Sequence, residues 1–196
     1  MSTFSSYFIQ GFHHISSLNT YDHILFVAAL FIIYQIADWK KVLWLVTSFT
    51  FGHLISVVLT SLNDFTINNH LIEFLLPCII LITAISNIFF RKEKYQYKYP
   101  SHNFRYFFGV FFAFMHGMGI SNHLKAVLGN SENIMLELFA FNTGVEVCQI
   151  LLLFAILAAS FIFAYFFRVT RREWNLFVSG AAGGIALVLV IENSIF

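Results

Sequence analysis

Three ionisable residues lie deep inside long apolar runs of this sequence: His53, His116 and Glu146. An ionisable side chain within a membrane span costs at least about 2.5 kcal/mol on insertion scales, so such residues face the interior of a helix bundle and are candidates for function. Imidazole suits zinc, copper, iron and nickel, and a carboxylate adds charge attraction for a cation. The three residues therefore predict a site for a divalent metal ion inside a membrane.

Polar neighbours repeat at helical spacing around these candidates. Asn142 precedes Glu146 by four residues, which places both on one face of a helix. Gly117, directly after His116, allows another backbone to approach closely. A polar stripe continues around His53 at steps of three residues: Thr47, Thr50, His53 and Ser56. For any one of these residues, the alternative is an interhelical hydrogen bond worth only about 0.6 kcal/mol.

Three more residues of the same chemical types lie at the heads of apolar runs. Asp22 and His23 open the first run, and Glu73 opens the third. We expect them to collect a cation before it reaches mid-membrane, although Asp22 could instead favour the positive end of a helix dipole. Adjacent helical residues point about 100° apart, so Asp22 and His23 face one ion only if the helix unwinds. The other histidines are expected in loops or tails: His13, His14, His70, His102 and His123.

Composition places the chain in lipid. Of its 196 residues, 59% are hydrophobic and 11% are charged, and the mean hydropathy is +0.77, all outside the range of soluble domains. A net charge of +1 gives no reason to expect a nucleic-acid partner. Cys78 and Cys148 lie in apolar runs and indicate packing residues, so we assign them no redox role.

The fold class predicted is an all-α integral membrane protein with about six transmembrane helices in one domain, 1–196. A crossing needs about 20 mostly apolar residues. The segments that meet this length approximately are 22–36, 42–62, 71–90, 104–120, 137–167 and 175–195.

Charge distribution predicts the orientation. With six spans, ten of the eleven basic residues fall on one face, and only Lys125 falls on the other. The positive-inside rule makes the basic face cytoplasmic, which puts both termini on the non-cytoplasmic side of the membrane. His53, His116 and Glu146 then lie at one depth, within an interior expected to contain no Lys or Arg.

The first 21 residues predict a separate element. Apolar side chains recur at steps of three and four among polar ones: Phe4, Phe8, Phe12, Ile15 and Leu18. This pattern favours an amphipathic helix in the membrane interface. The alternative is a loosely ordered aromatic tail, because short helices are marginal in water.

Several segments together resemble the HupE/UreJ family of bacterial membrane proteins: "HHISSLNTYDHILFVAAL", "TSFTFGHLISVVLTSLN", "LIEFLLPCIILITAISNIF", "FFAFMHGMGISNHLK" and "FAFNTGVEVCQ". The family's motifs fall here on Asp22 with His23, Thr50 with His53, Glu73, His116 with Gly117 and Gly119, and Asn142, Gly144, Glu146 and Gln149. The family is associated with hydrogenase and urease gene clusters, and its members are taken as nickel or cobalt permeases.

Three functions follow as hypotheses. The first is a permease or binding protein for a divalent metal ion, nickel or cobalt by resemblance or else zinc, held by Asp22, His23, His53, Glu73, His116, Asn142 and Glu146. The second is an intramembrane metal-dependent hydrolase, in which a further carboxylate would activate water. The third is an accessory protein that contacts metalloenzyme-maturation proteins. Under the first hypothesis, Glu146→Gln should weaken metal binding more than Asn142→Ala, because Glu146 carries the charge.

Overall fold

The computed structural model describes residues 3–17, 21–34, 38–62, 68–89, 102–128 and 134–194. Seven helices occupy these ranges, and no strand occurs in them: α1 Thr3–Ser16, α2 Tyr21–Phe31, α3 Trp39–Leu62, α4 Asn69–Ile88, α5 His102–Leu128, α6 Ile134–Phe166 and α7 Arg171–Glu192. The all-α prediction is confirmed within the described ranges.

The outer surface of the helices is apolar. Phe154 and Tyr165 on α6 and Val188 on α7 are all more than half exposed, which suits contact with lipid. In the described part of the chain, α3, α4, α6 and α7 are long and apolar enough to cross a membrane. The protein is therefore a multi-pass membrane protein, whereas the number of six crossings stays a prediction.

The helices pack mainly as three pairs: α3 with α5, α1 with α6, and α4 with α7. Helices α3 and α5 run in the same direction, because the hydroxyl of Tyr106 donates to the carbonyl of Lys41 and the hydroxyl of Ser56 donates to the carbonyl of Phe114. From the first of these two hydrogen bonds to the second, the residue numbers increase along both helices.

Helix α6 runs opposite to α3. Thr47 on α3 contacts Glu146, whereas His53, further along α3, contacts Asn142, earlier on α6. Helices α4 and α7 are likewise antiparallel: the Asn175 side chain donates to the carbonyl of Asn87, and the Asn193 side chain donates to the carbonyl of Glu73. These alternating directions are typical of a chain that passes back and forth through a bilayer.

Helix α1 is embedded along α6, so its packing does not match the expected peripheral position. Two glycines make this contact: a Cβ at Gly11 would collide with the backbone of Phe141, and one at Gly144 would collide with the backbone of Phe8. Close approach of helix backbones at small residues is typical of membrane packing. The contacts Tyr7 to Glu137 and Gly11 to Phe141 advance together, so α1 runs in the same direction as α6.

Helix α2 is shorter than the predicted span 22–36. It has 11 residues, which at a rise of about 1.5 Å per residue cover about 16 Å, roughly half of the hydrocarbon core. Turn residues follow at Ile32 and Ile33. The helix runs opposite to α5, since the rings of His23 and His116 lie 4.0 Å apart and those of Phe26 and Phe112 stack at 3.8 Å.

The remaining helix bounds lie within a few residues of the predicted ones, with one larger difference. Helix α5 continues to Leu128, so His123 lies within a helix rather than in the expected loop. The start of α7 is marked by Thr170 and Glu173, which form a reciprocal capping box.

Candidate metal centre

Four of the eight histidines of the chain meet at one level of the bundle, each from a different helix: His14 on α1, His23 on α2, His53 on α3 and His116 on α5. Five pairs of these rings have centroids between 4.0 Å apart, for His23 and His116, and 6.4 Å apart, for His14 and His53. Imidazoles bound to one tetrahedral ion through nitrogens at about 2 Å would have centroids about 5 Å apart. The rings are thus close to the spacing that one shared ion requires.

One hydrogen-bonded nitrogen pair has a separation similar to that of two ligands of one ion. His14 Nε2 and His116 Nε2 lie 3.1 Å apart, and two nitrogens bound tetrahedrally to one ion would lie about 3.3 Å apart. The candidate ligand atoms of His14, His23 and His116 all lie within 4.8 Å of one another. Small side-chain movements would therefore complete a three-imidazole set.

The Asp22 carboxylate links two of these rings. One oxygen lies 3.3 Å from His23 Nδ1, and the other lies 3.8 Å from His116 Nδ1. Metal-binding histidines commonly direct the second ring nitrogen at a carboxylate, which orients the ring and raises its basicity. Asp22 and His23 both lie at the histidine cluster although α2 is helical at these positions, because the Asp22 carboxylate contacts the ring of its neighbour.

The His53 ring is oriented by Asn142. The Asn142 amide donates to the carbonyl of Leu138 at 3.0 Å, so its oxygen is left to accept from His53 Nδ1, also at 3.0 Å. His53 is 1% exposed, and its Nε2 has no hydrogen-bond partner among the described residues. A buried nitrogen without a partner costs about 1 to 3 kcal/mol, and a bound ion would remove this cost.

Gly117 sets the separation of His53 and His116. A Cβ at Gly117 would lie 2.8 Å from Ser56 Oγ and 2.9 Å from the carbonyl oxygen of His53. Only glycine allows α5 to approach α3 this closely, and the same approach brings the two imidazoles together.

Helix ends add to the electrostatics of the centre. The last turn of α1 carries His14, and the first turn of α2 carries Asp22. The carbonyl end of a helix attracts cations, and the amide end favours a carboxylate.

Comparison with known proteins adds one match. The HupE/UreJ protein family model matches residues 1–193. The chain belongs to the HupE/UreJ family. No curated protein and no solved structure matches it.

The HupE/UreJ chain brings together five of the seven residues singled out from the sequence: Asp22, His23, His53, His116 and Asn142. The other two lie elsewhere. Glu146 is partly exposed one turn beyond Asn142, where its carboxylate accepts a hydrogen bond of 3.3 Å from Thr47. Glu73 is exposed on α4.

Sequence reasoning missed His14 in this HupE/UreJ protein. The pattern of the first 21 residues predicts a peripheral helix, which leaves His14 in a tail away from the bundle. A signal was nevertheless present: Gly11 and Gly144 are small residues on two helices, and close packing between them carries His14 into the bundle.

Proposed function

We propose that this HupE/UreJ protein binds a divalent transition-metal ion between His14, His23, His53 and His116 and carries it across the bacterial inner membrane. The observation that carries the proposal is the convergence of four imidazoles from four helices. His14 and His116 share a hydrogen bond of 3.1 Å, but the buried Nε2 of His53 has no hydrogen-bond partner among the described residues, and an ion shared by the rings would satisfy it. Nickel and cobalt are the preferred cargo by family resemblance.

The lengths of α1 and α2 suit a first crossing made of two short helices. Helices α1 and α2 have 14 and 11 residues, and therefore lengths of about 21 Å and about 16 Å. Together they are long enough to form the first crossing as a broken helix, with its break beside His14 and Asp22. Membrane transporters commonly bind their cargo where a helix is interrupted. With both termini outside, α1 enters from the outer face and α2 continues towards the cytoplasm.

Calorimetry and transport measurements test the proposal. Purified protein titrated with nickel, cobalt and zinc should bind one ion, and His116→Ala should abolish measurable binding. His70→Ala is the control, because His70 is an exposed residue at the start of α4. In proteoliposomes with an entrapped fluorescent chelator, the wild type should admit the bound metal and His116→Ala should not. Binding without uptake would leave a receptor or a hydrolase, and equal binding by His116→Ala would remove the site.

A further inference from the structure

A buried arginine lies below the metal centre, where the sequence predicted an interior without basic residues. Arg105 is 1% exposed and lies eleven residues before His116 on α5. At about 1.5 Å per residue, this separation is about 16 Å along the helix. Since α2 and α5 are antiparallel, Arg105 lies at the far end of α2 from His23.

The partners of the Arg105 guanidinium are neutral. It donates to the carbonyl of Leu30 at 3.1 Å and to the side-chain oxygen of Asn87, and it lies 6.0 Å from the ring centroid of Tyr34. Its Nε has no hydrogen-bond partner, and no described carboxylate lies within 4.0 Å of its nitrogens. The positive charge is therefore not compensated by an ion pair within the described residues. Burying an unpaired charge costs free energy, and a residue that is retained at this cost is a candidate for function.

The charge is held in place by the end of the short helix. Leu30 and Ala29 belong to the last turn of α2, where backbone carbonyls lack partners further along the helix. Arg105 donates to the carbonyl of Leu30, and the Asn87 amide donates to the carbonyl of Ala29 at 2.6 Å. Asn87 is held in turn by Ser179 at 3.1 Å. Helices α2, α4, α5 and α7 are thereby joined around the guanidinium.

An apolar layer separates Arg105 from the metal centre. The rings of Phe26 and Phe112 stack at 3.8 Å, and the ring of Phe49 lies 5.9 Å from that of Phe26 and 6.0 Å from that of Phe112. All three side chains are at most 3% exposed. In this conformation a cation at the histidines faces aromatic rings and then a fixed positive charge on its inward side.

We infer that Arg105 is the inward barrier of the metal centre, a charge that opposes the escape of a divalent cation towards the cytoplasmic end of α2. The inference rests on the proposed function. Like charges repel strongly in a poorly screened interior, and channels use arginine in this way to exclude cations. An ordinary helix cap would require only hydrogen-bond donors, whereas a barrier requires the charge.

Three variants separate charge from hydrogen bonding in the full chain reconstituted into proteoliposomes. Arg105→Gln removes the charge and keeps an amide donor, and Arg105→Lys keeps the charge. Asn87→Asp keeps Arg105 and places a carboxylate against it. Cobalt is added outside, and the initial rate of quenching of an entrapped chelator is measured. Calorimetry with cobalt on each variant shows whether the binding site is intact.

We expect Arg105→Gln and Asn87→Asp to raise the rate of cobalt entry about tenfold or more, with Arg105→Lys near the wild-type rate and all affinities within about twofold. If Asn87→Asp and Arg105→Gln keep their cobalt affinity but admit cobalt at an unchanged or lower rate, the inference that Arg105 is a barrier is refuted and the proposed function is not. If Arg105→Gln does not fold, the rate of Asn87→Asp decides. A wild type that binds no cobalt would instead overturn the proposed function, so the two failures are distinguishable.

Discussion

His14 Nε2 lies 3.1 Å from His116 Nε2, although 102 residues separate the two along the chain. This pair joins the N-terminal helix to α5 and brings α1 into the candidate metal centre. The N-terminal segment is thus a component of the site, where its sequence pattern alone predicts a peripheral helix.

The first prediction compares His14 with its neighbour. His14→Ala should weaken metal binding roughly tenfold or more, because it removes a ring whose nitrogen lies at ligand spacing from His116. His13→Ala should leave the affinity unchanged, since His13 is exposed and points about 100° away from His14 around α1. Calorimetry with nickel and cobalt measures both. Equal affinities in the two variants would remove α1 from the site.

The second prediction tests the docking of α1. Gly144→Ala should lower the stability by about 1 to 3 kcal/mol and also weaken metal binding, because the added methyl group collides with the backbone of Phe8. Gly184→Ala is a matched control: nothing lies within 4 Å of its Cβ position, and alanine favours a helix more than glycine does. Thermal unfolding in detergent gives the comparison. A Gly144→Ala protein as stable as Gly184→Ala would contradict the close contact.

The third prediction reverses an order expected from charge alone. Asn142→Ala should weaken metal binding more than Glu146→Gln, because Asn142 orients the His53 ring, whereas Glu146 contacts Thr47 one turn away. Leaving a buried His53 Nδ1 without its acceptor also costs about 1 to 3 kcal/mol. Titration of both variants with cobalt decides the order. A larger loss in Glu146→Gln would show that Glu146 reaches the ion in the loaded protein.

Much of the architecture can be predicted from physical constraints on single helices. Lipid requires long apolar helices, so the bounds of α3, α4, α6 and α7 follow from hydropathy to within a few residues. The cost of buried ionisable groups likewise singles out His53, His116 and Glu146, because that cost depends on residue type and depth only, but it does not show that Glu146 contacts Thr47 outside the histidine cluster.

The rest depends on contacts between distant segments. Helix α2 ends at Phe31 because Arg105 and Asn87 satisfy the carbonyls of its last turn, a pairing that the local apolar run through Ile36 does not reveal. Hydropathy also places Arg105 at a membrane boundary, where an arginine usually reaches water. Its burial arises where α5, which carries it, meets α2, α4 and α7.

The fourth prediction concerns orientation. In a protein with Cys78 and Cys148 replaced by alanine, single cysteines at Asn68 and Ser131 should react with an impermeant thiol reagent added outside intact cells. Cysteines at Lys94 and Arg171 should react only after permeabilisation, because the basic residues mark the cytoplasmic face. The opposite labelling pattern would invert the direction proposed for metal entry.

The last prediction concerns protons, which compete with a metal ion for imidazole nitrogens. Binding requires neutral rings at the four histidines, so nickel affinity should fall steadily as the solution is brought from about pH 7.5 to about pH 5.5, and binding at the higher pH should release protons. His14→Ala should show a shallower dependence, because one competing ring is absent. Calorimetry in two buffers of different ionisation enthalpy measures the protons released at each pH, and circular dichroism of the metal-free protein over the same range checks that the fold is retained. An affinity that is independent of pH while the fold is retained would exclude the histidines as ligands and leave the cluster as a hydrogen-bonded packing network.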